Sequence, residues 1–170
     1  MFMHRKHFLK QISLVTGTTF LTPAVIFSQT APKPEPLPAE KVKAFVGAGH
    51  NDLVKVKALL AEFPSLLYAT WDWGGGDFET ALEGAGHVGT KDVANYLIEA
   101  GARTNLFVLT MLGRTQLVKS WLETYPLYLN AKGPHGFSLL HHAQRGGEDA
   151  RELVDFLQSK GLKETKFSIS

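Results

Sequence analysis

The chain has 170 residues, of which 44% are hydrophobic and 20% charged, a composition typical of a soluble globular domain. Its formal charge of +2 comes from the first ten residues, because 15 basic and 16 acidic side chains remain once Arg5, Lys6 and Lys10 are set aside. With no basic stripe, nucleic acid is not an expected partner. The absence of cysteine excludes disulfides, thiolate metal sites and a cysteine nucleophile.

Residues 1–28 predict a signal peptide, because a positive segment precedes a short apolar and hydroxyl-rich one. The residues Arg-Lys-His-Phe-Leu-Lys at 5–10 resemble the twin-arginine export motif, with lysine in place of the second arginine. The general secretory route and an uncleaved anchor are the alternatives. Residues 29–38 contain four prolines and predict an extended linker. We therefore expect a mature protein in the periplasm or outside the cell, without a membrane contact.

A repeated motif organises the rest of the chain. Gly-Ala-Gly-His at 47–50 returns 37 residues later at 84–87, and an amphipathic segment follows each copy. The pattern predicts stacked helix pairs, in which 47–49 ends a first helix over 39–46 and a second helix runs from about Asp52 to Pro64.

Residues 68–78 are rich in tryptophan and glycine and predict a projecting loop. Its rings either pack against the neighbouring unit or contact a partner, since tryptophan and tyrosine are enriched in binding hot spots.

The second unit makes the resemblance specific. Residues 89–102 contain a valine, then Leu-Ile four residues later, then Glu-Ala-Gly-Ala, and the fourth unit contains Gly-Phe-Ser-Leu-Leu-His-His-Ala at 136–143. These segments resemble the ankyrin repeat, whose units of roughly 33 residues begin Thr-Pro-Leu-His-x-Ala. The resemblance implies an all-α solenoid of about four helix-turn-helix units over 39–161, with 162–170 as a C-terminal tail.

The third unit departs from this spacing. Only 24 residues separate Gly89 from Gly113, whereas 33 separate Gly113 from Gly146. The turn between the second and third units is therefore predicted to be deleted, with Thr104 or Asn105 capping a helix directly.

Histidines are the best candidates for chemistry. His141 and His142 lie about 100° apart on a helix and cannot share a metal, and the resemblance gives His141 a structural role. His50 and His87 follow glycines and are expected to cap turns or lie on the surface. Their distances to the following Leu-Leu and Leu-Ile pairs differ by one residue, which argues against a repeated ligand set.

Carboxylates give no catalytic pair, because Asp72 and Asp77 flank a glycine turn of the kind that is usually solvated. We therefore predict no catalytic residue, no cofactor and no metal. Small exported bacterial ankyrin proteins, which this chain resembles, imply a binding role.

The predicted function is a non-catalytic scaffold, a monomer, that binds a protein partner in the periplasm or outside the cell. A small-molecule or carbohydrate-binding protein, or a small enzyme, using the loop at 71–78 is the alternative. An accessory stabiliser or immunity protein is a further possibility. The candidate partner-binding residues are Trp71, Asp72, Trp73, Phe78, His135 and Phe137.

Overall fold

A computed structural model describes residues 33–169, and the folded unit begins at Glu35. The predicted signal peptide and the first part of the predicted linker lie outside the described residues. From residue 33 to 169 the fold is mostly helical, as the all-α prediction requires, with eight α-helices and one two-stranded hairpin. The helices are α1 (Ala39–Gly49), α2 (Leu53–Glu62), α3 (Ala81–Val88), α4 (Lys91–Glu99), α5 (Leu106–Met111), α6 (Thr115–Thr124), α7 (Leu139–Gly146) and α8 (Arg151–Ser159). The strands are β1 (Thr70–Asp72) and β2 (Phe78–Thr80).

The helices pack as four consecutive pairs. Helix α1 packs on α2, α3 on α4, α5 on α6 and α7 on α8. The first helices of the pairs also pack on one another in chain order, α1 on α3, α3 on α5 and α5 on α7. Among the described helices, none is both long and apolar enough to cross a membrane.

A polar side chain caps the N-terminus of the first helix in three of the four pairs. Asn105 caps α5 by accepting a hydrogen bond from the backbone N–H of Val108, which confirms the predicted direct cap. Thr80 and Glu83 form a reciprocal capping box at the start of α3. Ser138 caps α7. These three helices therefore begin where the sequence supplies an acceptor for their unpaired N–H groups.

Two hydrophobic clusters form the core. The first is built around Phe45, Leu66 and Leu97, and the second around Leu139 and Leu153. The short helix α5 contributes side chains to both clusters, so the core runs through it from the second pair to the fourth.

The doubled Gly-Ala-Gly-His motif lies at the C-terminal ends of α1 and α3. Gly47 to Gly49 are the last three residues of α1, so the helix ends at the predicted glycines but includes them, and His50 is its C-cap residue. The second copy lies within α3, which ends one residue later at Val88. The glycines also allow close packing: a Cβ on Gly49 would overlap the backbone of Ala81, at 2.7 Å from its carbonyl carbon. Gly49 therefore lets α1 and α3 approach each other.

The aromatic segment is a β-hairpin rather than an irregular loop. Strands β1 and β2 pair antiparallel with Trp71 opposite Glu79. Asp72 accepts hydrogen bonds from the N–H groups of Gly74 and Gly76 and so closes the turn. Strand alternation then sends Phe78 to the surface and Glu79 into the protein.

The short connection before the third helix pair changes which helices contact one another. No hairpin separates α4 from α5, which has six residues, and α3 contacts α7 as well as α5. The 3₁₀ turn Pro134–Gly136 that precedes α7 thereby reaches the hairpin of the second pair. The short connection between the second and third units that the spacing predicts is confirmed.

The C-terminal tail docks on this turn. The N–H of Phe167 donates to the carbonyl of Gly136, and the N–H of Ser138 donates to the carbonyl of Thr165. The ring of Phe167 packs against the second hydrophobic cluster, while Ile169 stays about half exposed.

We expect Gly49→Ala and Gly47→Ala to differ in stability. Gly49→Ala should lower the free energy of unfolding by about 2 kcal/mol, because the new methyl group overlaps the Ala81 backbone. Gly47→Ala meets no atom within 4 Å and should be neutral or stabilising by up to about 1 kcal/mol. Urea unfolding of both variants measures this difference. Wild-type stability in Gly49→Ala would contradict the close-packing role.

Candidate functional site

A buried carboxylate lies at the inner face of the hairpin. Glu79 is 0% exposed, and its Oε2 accepts a hydrogen bond from the indole N–H of Trp73 at 2.7 Å. Its Oε1 has no hydrogen-bond partner of acceptable geometry. A buried carboxylate without compensation is strongly destabilising, so the groups that face Oε1 decide what this site is.

Three imidazoles face the Glu79 carboxylate. The Nε2 atom of His87 lies 2.9 Å from Oε1, and the Nε2 atom of His135 lies 3.5 Å from the same oxygen. The Nε2 atom of His50 lies 3.5 Å from Oε2 and 3.1 Å from Nε2 of His87. One ligand atom from each of the four side chains falls within 4.8 Å of all the others. We call these four residues the histidine-glutamate cluster.

Hydrogen bonds on the far side of two rings fix their orientation. Nδ1 of His50 lies 3.2 and 3.1 Å from the carbonyl oxygens of Val46 and Gly47, and carbonyls only accept, so Nδ1 carries the proton. Nδ1 of His135 donates to a carboxylate oxygen of Asp77 at 2.6 Å. In the neutral rings Nε2 therefore turns a lone pair toward the cluster, as in metal-binding histidines whose other ring nitrogen donates a hydrogen bond.

The pKa of Asp77 is lowered by this contact. Burial acts to raise the pKa, but the backbone and side-chain hydrogen bonds from His135, with electrostatic attraction from His135 and Lys166, outweigh burial. The pKa of Asp77 therefore lies below its ordinary value. The Asp77 carboxylate also accepts from the backbone N–H of His135 at 2.8 Å, which holds the turn to the hairpin.

His135 has an unusual backbone. Its φ of 58° makes it the one non-glycine residue with positive φ in the described part of the chain. Such a conformation is disfavoured for a side chain with a Cβ and persists where surrounding contacts hold it. Here Asp77 supplies two of those contacts, so the turn is held in the conformation that points Nε2 at Glu79.

Stacked rings form one wall of the cluster. The ring of Phe137 lies between those of His87 and His141, with centroids at 5.2 and 4.0 Å. Nε2 of His141 contacts the backbone carbonyl of His87 at 2.8 Å. His141 therefore ties α7 to the end of α3 and stands outside the ligand set.

Three of the six predicted partner-binding residues converge on the cluster. They are Trp73, His135 and Phe137. The other three do not. Trp71 places its ring 5.6 Å from the ammonium of Lys43, and Phe78 is 60% exposed. The remaining residue, Asp72, holds the glycine turn, as a solvated turn residue would.

The predicted role of the histidines holds for His50 and not for His87. His50 bonds the last carbonyls of α1, as a capping residue does. His87 is buried rather than on the surface, and its Nε2 meets that of His50. The one-residue difference in spacing falls after each histidine, where α2 begins at Leu53 and α4 at Lys91, and leaves α1 and α3 in register. The carboxyl of Asp77, expected in a solvated turn, is paired with His135.

Sequence reasoning missed Glu79 altogether. The signal that identifies it is the alternation of a strand, in which one of Phe78 and Glu79 must point inward. That signal was lost because the segment was interpreted as a projecting loop.

His142 is buried in the core and lies outside the cluster. Its Nδ1 donates to the carbonyl of Ser138 at 2.8 Å. Burial lowers the pKa of His142 to about 3, so the ring is neutral in the folded protein at neutral pH. Its role is packing.

Comparison with protein-family models, with curated protein sequences and with solved structures found no match to this chain.

Acid should destabilise the fold partly through His142. The unfolded chain takes up a proton near pH 6.5, whereas the folded ring resists protonation down to about pH 3. The unfolded state therefore binds more protons in this window, and stability falls as pH falls, by up to about 1.4 kcal/mol per pH unit. Urea unfolding of His142→Gln between pH 7.5 and 4.5 should show a shallower loss than wild type. Identical slopes would contradict this assignment.

Proposed function

We propose that this protein binds a divalent first-row transition-metal ion of the Zn²⁺ type through His50, Glu79, His87 and His135. The observation that carries the proposal is the convergence of three imidazole Nε2 atoms on a fully buried carboxylate, two of them facing Oε1 and that of His50 facing Oε2. A cation among these atoms compensates the buried charge and gives Oε1 a partner.

The distances support an ion of this size. Four protein ligands arranged tetrahedrally at about 2.0–2.1 Å from zinc lie about 3.3 Å from one another. The contacts from the Glu79 oxygens to the three Nε2 atoms, and between the Nε2 atoms of His50 and His87, range from 2.9 to 3.5 Å. Across the four ligand atoms the separations extend to 4.8 Å, so the outer histidine side chains must move inward for a tetrahedral shell to close around the ion.

The donor types select the class of ion. Imidazole nitrogen and carboxylate oxygen suit Zn²⁺, Co²⁺ and related divalent ions, whereas Mg²⁺ and Ca²⁺ favour sites made of oxygen alone. Four protein ligands fill a tetrahedral shell, as in structural zinc sites, so the proposed role is non-catalytic.

The rest of the proposal concerns the scaffold. We propose an exported ankyrin-like solenoid, with the packing of four consecutive helix pairs as its support. The Gly-Phe-Ser-Leu-Leu-His-His-Ala segment at 136–143 and the twin-arginine-like leader support it from the sequence. The metal ion then joins the first, second and fourth pairs.

Glu79→Gln should weaken Zn²⁺ binding at neutral pH by at least about 10-fold, because it removes the only anionic ligand while keeping the side-chain size. Wild type should bind one Zn²⁺ in calorimetry and gain thermal stability with the ion. Glu83→Gln is the matched control, since glutamine is also accepted in a capping box and Glu83 lies outside the cluster.

Circular dichroism of the metal-free variants checks that each is folded. Absence of Zn²⁺ binding by wild type would overturn the proposal and leave a cluster of hydrogen-bonded imidazoles around Glu79. Equal affinities of wild type and Glu79→Gln would also overturn it.

A second candidate function is the capture of a protein partner, favoured by large exposed rings. Phe78 is 60% exposed at the hairpin, and a second group of exposed rings lies on α6 and the turn after it. That group is Trp121, Tyr125 and Tyr128, with centroids 5.8 to 6.1 Å apart. Such rings are typical of interface hot spots.

Cross-linking in the producing cells tests this candidate. One specific partner should be recovered with wild type and lost with Phe78→Ala, while the variant keeps wild-type Zn²⁺ binding. Recovery of the same proteins with both forms would count against the hairpin as the partner site.

A further inference from the structure

We infer that Trp73 sets the coordination number of the metal ion by holding one oxygen of Glu79, and so determines which divalent ions bind. The inference rests on the metal-binding function proposed above. Trp73 acts through Glu79 and is a positioning residue.

The two oxygens of Glu79 have different environments. Oε2 accepts the indole N–H of Trp73 at 2.7 Å, a short charge-assisted hydrogen bond. Oε1 accepts no hydrogen bond and faces the rings of His87 and His135. A carboxylate that binds a cation through both oxygens needs both of them free, so this hydrogen bond favours binding through Oε1 alone.

The indole is held in place by the hairpin. The backbone N–H of Trp73 donates to the carbonyl of Asp77 at 3.0 Å, within the turn that Asp72 closes. The Trp73 ring lies 6.2 Å from the rings of both His50 and His135, and 39% of the residue is exposed. Its ring therefore lies beside the two partly exposed histidines, and its N–H points inward.

The consequence is a limit of four protein donors. Three nitrogens and one oxygen match the tetrahedral preference of Zn²⁺ and Co²⁺. Mn²⁺ instead prefers an octahedral site of six oxygen ligands. Without the indole N–H, Oε2 is free to bind the ion as a fifth donor. The N–H of Trp73 thus disfavours larger coordination numbers rather than adding a ligand.

Trp73→Phe tests this inference, because it keeps an aromatic ring and removes the N–H. Co²⁺ is the probe, since four-coordinate Co²⁺ absorbs visible light much more strongly than five- or six-coordinate Co²⁺. Wild type should give the intense four-coordinate spectrum and Trp73→Phe a weaker one. The preference for Zn²⁺ over Mn²⁺, measured as a ratio of Kd values, should fall at least about 10-fold in the variant.

Trp71→Phe is the matched control, because Trp71 lies on the same hairpin and contacts Lys43 rather than the cluster. It should keep the wild-type spectrum and ion preference. A second variant carries benzothienylalanine at position 73, which preserves the bicyclic shape and replaces N–H by sulfur. This variant provides the test if Trp73→Phe does not fold.

The outcomes separate the two proposals. If wild type binds neither Co²⁺ nor Zn²⁺, the proposed function itself fails. If wild type binds Co²⁺ in four-coordinate form and the folded position-73 variants give the same spectrum and the same Kd ratio, metal binding stands and the role of Trp73 is refuted. A spectral change in Trp71→Phe equal to that in Trp73→Phe would also refute it.

Discussion

The burial of the Glu79 carboxylate is the constraint on which the rest of the arrangement depends. A carboxyl group withdrawn from water needs local polar partners, and one indole N–H and three imidazoles surround this one. These groups come from the end of α1, from α3, from the hairpin and from the turn before α7. Three helix pairs thus pack so that their side chains surround Glu79, a residue of the three-residue strand β2.

The glycines of the repeated motif allow the histidines to gather around the buried carboxylate. Gly49 admits the backbone of Ala81, and Gly84 admits the ring of His50, whose Nδ1 would lie 3.0 Å from an added Cβ. The two glycines therefore bring α1 against α3 closely enough for the histidines at the two helix ends to meet. The motif therefore also sets the distance between α1 and α3, because glycine has no side chain at the point where the two helices cross.

Sequence reasoning identified the three histidines of this site as candidates, but neither Glu79 nor the assembly of the four residues. Periodicity and capping residues gave the helix pairs, and the Gly113 spacing gave the shortened third unit, because these are local signals. Asp77 and His135 lie 58 residues apart, and only the packing of α3 on α7 brings them into contact. Glu79 was missed because its inward direction depends on strand pairing, which the glycine-rich composition concealed.

The short third pair also bears on how this chain can evolve. In a regular array each unit contacts only its neighbours, so whole units can be inserted, duplicated or exchanged as cassettes. Here α3 reaches past α5 to α7, and the hairpin of the second pair holds a turn of the fourth. A longer connection between α4 and α5 would move that turn away and separate His135 from Glu79. The helix pairs of this protein are therefore not interchangeable, because the cluster depends on the length of that connection.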